Sequence, residues 1–159
     1  MKIKSLLFGL TVGIVLMILL PYFMMTINNQ VSLPVVNYIF LKIFGVISVG
    51  LGVFIFLFNT FAFKRYGRGT PVPIEPPQEL VAEGLYKYVR NSMYLGYFGI
   101  VFGEFFIFGH LSLLFYAIVF VILTHLYVVF VEEPGLKKRF GDNYGRYLKS
   151  VPRWLPKLS

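Results

Sequence analysis

The 159-residue chain contains no cysteine. That excludes disulfides, thiolate chemistry and cysteine-based metal sites, and it says nothing about compartment. Charge is scarce as well. Asp, Glu, Lys and Arg make up 14% of the residues, against about 25% in an ordinary soluble domain. Acidic side chains are the scarcest: 7 against 15 basic ones, for a net charge of +8. What fills the chain instead is apolar, with 57% hydrophobic residues and a mean hydropathy of +0.74. A disordered chain, a coiled coil and an ordinary soluble domain are all excluded by that balance. One membrane-embedded domain over residues 1–159 is the reading that remains, because the length leaves no room for a second core.

The few charges are segregated. From Ser5 to Leu41 there are none, which predicts a first spanning helix at about residues 5–27, kinked at Pro21. Asn28-Asn29-Gln30, with Ser32 and Pro34, predicts the turn that follows. A second helix is expected from about 36 to 63, interrupted only by Lys42, a third over Met93–Phe108, and a fourth over Leu111–Val131 after a Gly109-His110 turn. The first run is too long, and lacks the small-residue cleavage site, of a signal peptide, so it reads as a retained helix. The expected fold is therefore all-α, a polytopic membrane protein with four transmembrane helices. Residues 1–63 form a hairpin, and residues 64–159 add a polar strap, a second hairpin and a tail.

Orientation follows from the basic residues. Lys2 and Lys4, then Lys64, Arg65, Arg68, Lys87 and Arg90, then Lys137, Lys138, Arg139, Arg146, Lys149, Arg153 and Lys157 occupy alternate connections. The other two turns carry no Lys or Arg. Both termini are expected on the cytoplasmic side of a cytoplasmic or inner membrane. The positive charge is accounted for by topology, so no nucleic-acid partner is expected. Lys42 and Glu104 fall inside the spans at similar depth; either they form an ion pair between the second and third helices, or Lys42 snorkels outward and Glu104 is protonated or hydrogen-bonded.

The polar segments carry the rest. Pro71, Pro73, Pro76 and Pro77 forbid helix and make the strap stiff and extended. In the tail, Leu136, Phe140, Tyr144, Tyr147 and Leu148 recur at spacings of three and four, with Lys137, Lys138, Arg139 and Arg146 between them. That is a C-terminal amphipathic helix with a basic face for anionic head groups. Gly141 and Gly145 weaken it as a free helix, so it is expected to dock. Trp154 suits a membrane interface or a docking pocket. Glu132-Glu133 is expected to end the fourth helix, where two carboxylates oppose the macrodipole and call for compensation by Lys137 or a cationic ligand. His125 lies two turns deeper on the same face as Glu132.

The order and spacing of these pieces resemble the isoprenylcysteine carboxyl methyltransferase-like family of membrane methyltransferases, relatives of the phospholipid N-methyltransferases. The residues that carry the resemblance are Gly69-Thr70-Pro71-Val72-Pro73, the block Gly84 to Gly96 with Arg90-Asn91-Ser92-Met93-Tyr94, Glu104, His125, Glu132-Glu133-Pro134, Phe140 to Tyr147, and Val151-Pro152-Arg153-Trp154-Leu155-Pro156. Ser92 stands where the family's motif has proline. Proline would fix φ at the start of a helix, and serine would cap the same turn. The resemblance implies S-adenosylmethionine as methyl donor, held by Leu80, Val81, Tyr86, Arg90, Asn91, Ser92, Met93, Tyr94 and Glu132. His125 and Glu133 would be the proton-transfer groups should the acceptor be an amine. It implies a lipid-like or prenylated small-molecule substrate, methylated at a carboxylate or at a phospholipid amine, with membrane lipids as partners and no metal. The prenylcysteine-specific members carry an arginine in the turn before the glutamate pair, where this chain reads Tyr127-Val128-Val129-Phe130-Val131. Two other readings fit the same residues: a non-catalytic membrane scaffold or lipid- or partner-binding protein that keeps the fold, and a nicotinamide-dependent lipid reductase.

Overall fold

The computed structural model describes residues 3–67 and 77–157. Lys2, Arg68 and the strap prolines Pro71, Pro73 and Pro76 lie outside the described residues, as does the Gly69-Thr70-Pro71-Val72-Pro73 stretch.

The described chain is helical. Helix α1 (Ile3–Gln30) and helix α2 (Ile39–Tyr66) are each 28 residues long, and α3 (Ser92–Phe108) has 17. Helix α4 (Leu111–Tyr127) passes through a π-turn (Val128–Glu132) directly into α5 (Glu133–Ser150). Three helical stretches are long and apolar enough to cross a membrane, and α3 is a shorter apolar helix beside them. The chain is an integral membrane protein by that length and composition.

Local chemistry explains where the elements depart from expectation. Just before Pro21, α1 opens into a π-turn (Val15–Leu19), closed by the Leu20 amide on the Val15 carbonyl. The wider turn relieves the clash and missing donor that proline imposes on the preceding residues. Asn28, Asn29 and Gln30 remain helical, and the turn comes after them. Asn28 is fully buried; its amide donates to the Leu33 carbonyl at 2.9 Å and its Oδ1 accepts the Ser112 amide at 3.1 Å. One asparagine thereby satisfies backbone groups of two turns that a membrane surface would otherwise leave unpaired. Helix α2 starts at Ile39 because Val36 is engaged elsewhere, its amide donating to the Gly109 carbonyl at 2.9 Å. Gly109 is left-handed, with φ 72°, and a Cβ there would lie 1.8 Å from the Val36 oxygen. Only glycine fits that crossing.

Helices α2 and α3 run antiparallel along a seam of glycines. A Cβ on Gly52 would meet the Gly96 carbonyl oxygen at 2.5 Å, and one on Gly45 the Gly103 oxygen at 2.7 Å. Backbone on backbone is the contact that holds helices together in lipid, where burying apolar side chains gains little. The other side of α3 packs Val101 against Tyr116 and Ala117 of α4, with Met17, Leu20 and Met24 of α1 closing the cluster. This split decides against the ion-pair alternative. No ion pair joins Lys42 to Glu104, and Glu104 Oε2 is buried without a hydrogen-bond partner. Gly96, Gly99 and Gly103 define the α2 face of α3, whereas Glu104 shares the next face with Val101, toward Tyr116.

The carboxylate pair does not end a helix. The backbone continues through the π-turn and beyond it α5 is amphipathic as expected. Tyr144, Tyr147 and Val151 pack with Leu136, Phe140 and Leu148, while Lys137, Lys138, Arg139 and Arg146 are exposed. The docking partner is the strap, through Leu80 and Ala82. Gly141, at φ 55° and ψ −129°, interrupts the helical backbone.

Candidate functional site

The strap from Leu80 to Asn91 and the tail from Tyr147 to Lys157 clasp each other by backbone. Arg90 N donates to the Pro152 carbonyl at 3.0 Å and Lys157 N to the Tyr88 carbonyl at 2.9 Å. The Tyr147 hydroxyl donates to the Tyr86 carbonyl at 2.7 Å, and the Asn91 amide to the Arg153 carbonyl at 3.1 Å. Tyr86 is buried against Ala62 and Val81, with its ring edge-on to Phe63 at 5.5 Å. Burial pushes its phenol above the ordinary tyrosine value, so it stays neutral.

This clasp delivers two arginines to one carboxylate. Arg90 Nη1 donates to Glu133 Oε1 at 2.7 Å, and Arg153 donates from Nε to Oε1 at 2.8 Å and from Nη2 to Oε2 at 2.9 Å. The Arg153 contact is the two-pronged fork that makes arginine–carboxylate pairs strong. Partial burial works against the Glu133 charge, but the Arg153 hydrogen bonds and the Arg90 charge outweigh it and hold this carboxyl below its usual range. The hydrogen bonds to Glu133 raise Arg153 in turn. The compensation expected from Lys137 thus comes from residues 43 and 20 positions away in sequence, and Lys137 itself is exposed.

Glu132 has a different environment. The Tyr94 hydroxyl donates to its Oε2 at 2.8 Å. Its other oxygen takes no hydrogen bond among the described residues. Aromatic rings wall the approach: Trp154 lies 6.5 Å from Tyr94, 5.4 Å from Phe98 and 6.0 Å from the His125 imidazole, ring centre to ring centre. The Trp154 indole N–H donates to His125 Nδ1 at 3.0 Å. With Nδ1 accepting, a neutral imidazole carries its proton on Nε2.

The sequence-predicted residues therefore fall into two groups. Arg90, Asn91, Tyr94, Glu132 and Glu133 meet where α3, the π-turn and the tail converge, and Trp154 links His125 to them. Leu80, Val81, Tyr86, Ser92 and Met93 lie behind, in the packing that supports this cluster. Val81, Tyr86, Ser92 and Met93 are all buried. Ser92 does not cap its turn, because it is the first helical residue rather than the cap. Its hydroxyl donates sideways to Asn59 Oδ1 at 2.9 Å. Sequence alone does not mark Asn59, or the roles of Arg153 and Trp154, as site features. Arg153 and Trp154 belong to the closing block of the resemblance, whereas a lone Asn in an apolar run carries no signal.

The cluster holds a Glu132 oxygen that takes no hydrogen bond among the described residues, beside the one that Tyr94 engages, and a buried guanidinium donor without a partner, Arg90 Nε. No group of three or more His, Asp or Glu side chains suited to a metal occurs among the described residues. Over 79 residues the chain is 34% identical to the protein-S-isoprenylcysteine O-methyltransferase of Schizosaccharomyces pombe, a match covering 48% of this chain and 33% of that protein. The match thus spans about a third of the curated relative's length. Residues 40–143, well over half of the chain and including Arg90 to Tyr94 and Glu132-Glu133, match the phospholipid methyltransferase sequence profile, and the chain belongs to that family of membrane methyltransferases.

Proposed function

We propose that the chain is an S-adenosylmethionine-dependent methyltransferase acting on a lipid-like substrate, with the site at the cytoplasmic face and both termini on that side. The observation that carries this reading is the pairing of an available Glu132 oxygen with the orphaned, buried Arg90 Nε. An amino acid moiety needs both: an acceptor for its ammonium and a donor for its carboxylate. The unpaired Arg90 donor would otherwise be a desolvation cost with no return. The residues present fit the cofactor on that ground.

S-adenosylmethionine, when bound, supplies the methyl group on a sulfonium. Glu132 would hold its ammonium, Arg90 its carboxylate, and the Tyr94 ring would face the cationic end, a contact worth about 0.5–2 kcal/mol. Tyr94 also fixes Glu132 by donating to it. Glu133 has both oxygens engaged by arginines. In this reading it anchors the clasp, and His125, whose Nδ1 accepts from Trp154, would turn an Nε2–H donor, not a base, toward an acceptor. The aromatic wall excludes water and aligns the acceptor for in-line transfer. A carboxylate acceptor requires no base; an amine must first lose a proton. The basic face of α5 would hold the site against anionic head groups.

Calorimetric titration of S-adenosylmethionine and S-adenosylhomocysteine into the protein in lipid nanodiscs tests the reading. Saturable binding is expected, weakened about tenfold or more by Glu132→Gln and by Tyr94→Phe, each removing one charge-assisted contact. No binding at millimolar ligand by folded protein would overturn it.

A further inference from the structure

Helix α2 contributes no residue to the clasp and is apolar along most of its length, yet it buries one amide completely. Asn59 is 0% exposed and Ser92 is 2% exposed. The Asn59 Nδ2 donates back to the Ile55 carbonyl at 2.9 Å, and its Oδ1 accepts the Ser92 hydroxyl at 2.9 Å. Inside a membrane protein an unpaired amide is costly, so both of these bonds constrain where the first residue of α3 stands. Ser92 is flanked by Asn91, which donates to the Arg153 carbonyl, and is two residues from Tyr94, which donates to Glu132. The Tyr86 phenol also reaches Ser92.

We infer that Asn59 is a positioning residue for the site: through Ser92 it fixes the first turn of α3, and with it the aim of Asn91 and Tyr94. The inference rests on the functional reading above for what is aimed at, and on the buried pair alone for the aiming. Adhesion between α2 and α3 does not require this bond. The glycine seam supplies it, and Ser48 Oγ already donates to the Gly99 carbonyl at 2.8 Å farther along the same contact. The Asn59–Ser92 bond differs in its place, where the seam meets the strap. It also accounts for serine at position 92, since proline there would leave Asn59 Oδ1 buried and unpaired.

The experiment compares wild type with Asn59→Leu, Ser92→Ala, the double variant, and Ser48→Ala, all as full chains in nanodiscs. Three quantities are read: melting temperature, S-adenosylhomocysteine affinity, and the emission of Trp154, the only tryptophan, whose ring lies beside Tyr94. Asn59→Leu and Ser92→Ala are each expected to weaken binding about tenfold and to shift the emission, and the double variant is expected to be no worse than the poorer single one. Ser48→Ala is expected to lower the melting temperature with affinity and emission unchanged. Wild-type affinity and emission in Asn59→Leu, with only its melting temperature reduced, would overturn the inference. If Asn59→Leu does not fold, Ser92→Ala decides alone, since it removes a single oxygen. If wild type binds no cofactor, the methyltransferase reading fails, and Trp154 emission still decides: a shift confined to the Asn59 and Ser92 variants upholds the positioning role, and an unchanged spectrum overturns it.

Discussion

Two of the contacts that hold this protein's distant segments together work by opposite means. The α2–α3 seam works by absence: Gly45, Gly52, Gly96 and Gly103 remove side chains so that the backbones touch. The clasp between strap and tail works by charge: Arg90 and Arg153 converge on Glu133, and Tyr147 and Asn91 bond to carbonyls across it. The seam lies where lipid offers no hydrophobic gain, so close packing is the available attraction. The clasp lies at the end of the bundle, where polar partners can be satisfied. Of the candidate site residues, Arg90 and Trp154 belong to the second contact and Glu133 is gripped by it, while Tyr94 and Glu132 pair beside it.

The sharpest way to break this contrast is to add a single methyl group to the seam. Gly52→Ala forces a Cβ to within 2.5 Å of a backbone oxygen that cannot rotate away, and a loss of about 3 kcal/mol in unfolding free energy is expected. Breaking the clasp should cost somewhat less. Glu133→Gln leaves two arginines facing a neutral amide, and about 2 kcal/mol is expected because Arg153 is partly solvated. The same bond gives the clasp a pH signature. The folded-state pKa of Glu133 is depressed, so its contribution is complete above the ordinary glutamate value of about 4.3 and is lost as pH falls through the depressed value. Melting temperature should therefore decline in acid below about pH 4 in wild type, and this component should be missing in Glu133→Gln.

These two contacts were unequally legible in the sequence. The helices were readable because long charge-free runs have few alternatives, and the amphipathic tail because its period is 3.6. The continuation of α4 through Glu132-Glu133 was not readable. Locally, two carboxylates argue for a helix end, and what permits the helix to go on is Tyr94, Arg90 and Arg153, all remote in sequence. The ion-pair alternative for Lys42 and Glu104 failed for a related reason. Equal depth in a bilayer does not put two side chains on facing sides of their helices. Asn59 was invisible because one amide in an apolar run has no period.

Smaller effects sharpen the comparison. Ser92→Pro, which would bring the chain to its family's motif, is expected to weaken S-adenosylhomocysteine binding about tenfold rather than improve it. It orphans Asn59, and Asn91, at φ −114° and ψ 41°, is not in the extended state that a residue before proline prefers. Titration of that variant against wild type reads the change directly. Gly135→Ala should have the least effect and the opposite sign. Nothing lies within 4 Å of a Cβ at that α5 position, so thermal unfolding should show a gain of about 0.5–1 kcal/mol from helix propensity. A loss there would mean that α5 has contacts beyond those with the strap.

The π-turn at Val128–Glu132 has a further consequence. Its closing bond runs from the Glu133 amide to the Val128 carbonyl, which is one residue wider than an α-turn. An extra residue advances everything after it by about 100° around the helix axis. The turn therefore sets the phase between the membrane anchor and the acid pair, as an offset sets two gears on one shaft. Without it, α4 would present the same lipid-facing stripe while Glu132 and Glu133 pointed away from Tyr94 and the arginines. Composition and hydropathy would be almost unchanged, and the contacts of Tyr94, Arg90 and Arg153 with the acid pair would be lost.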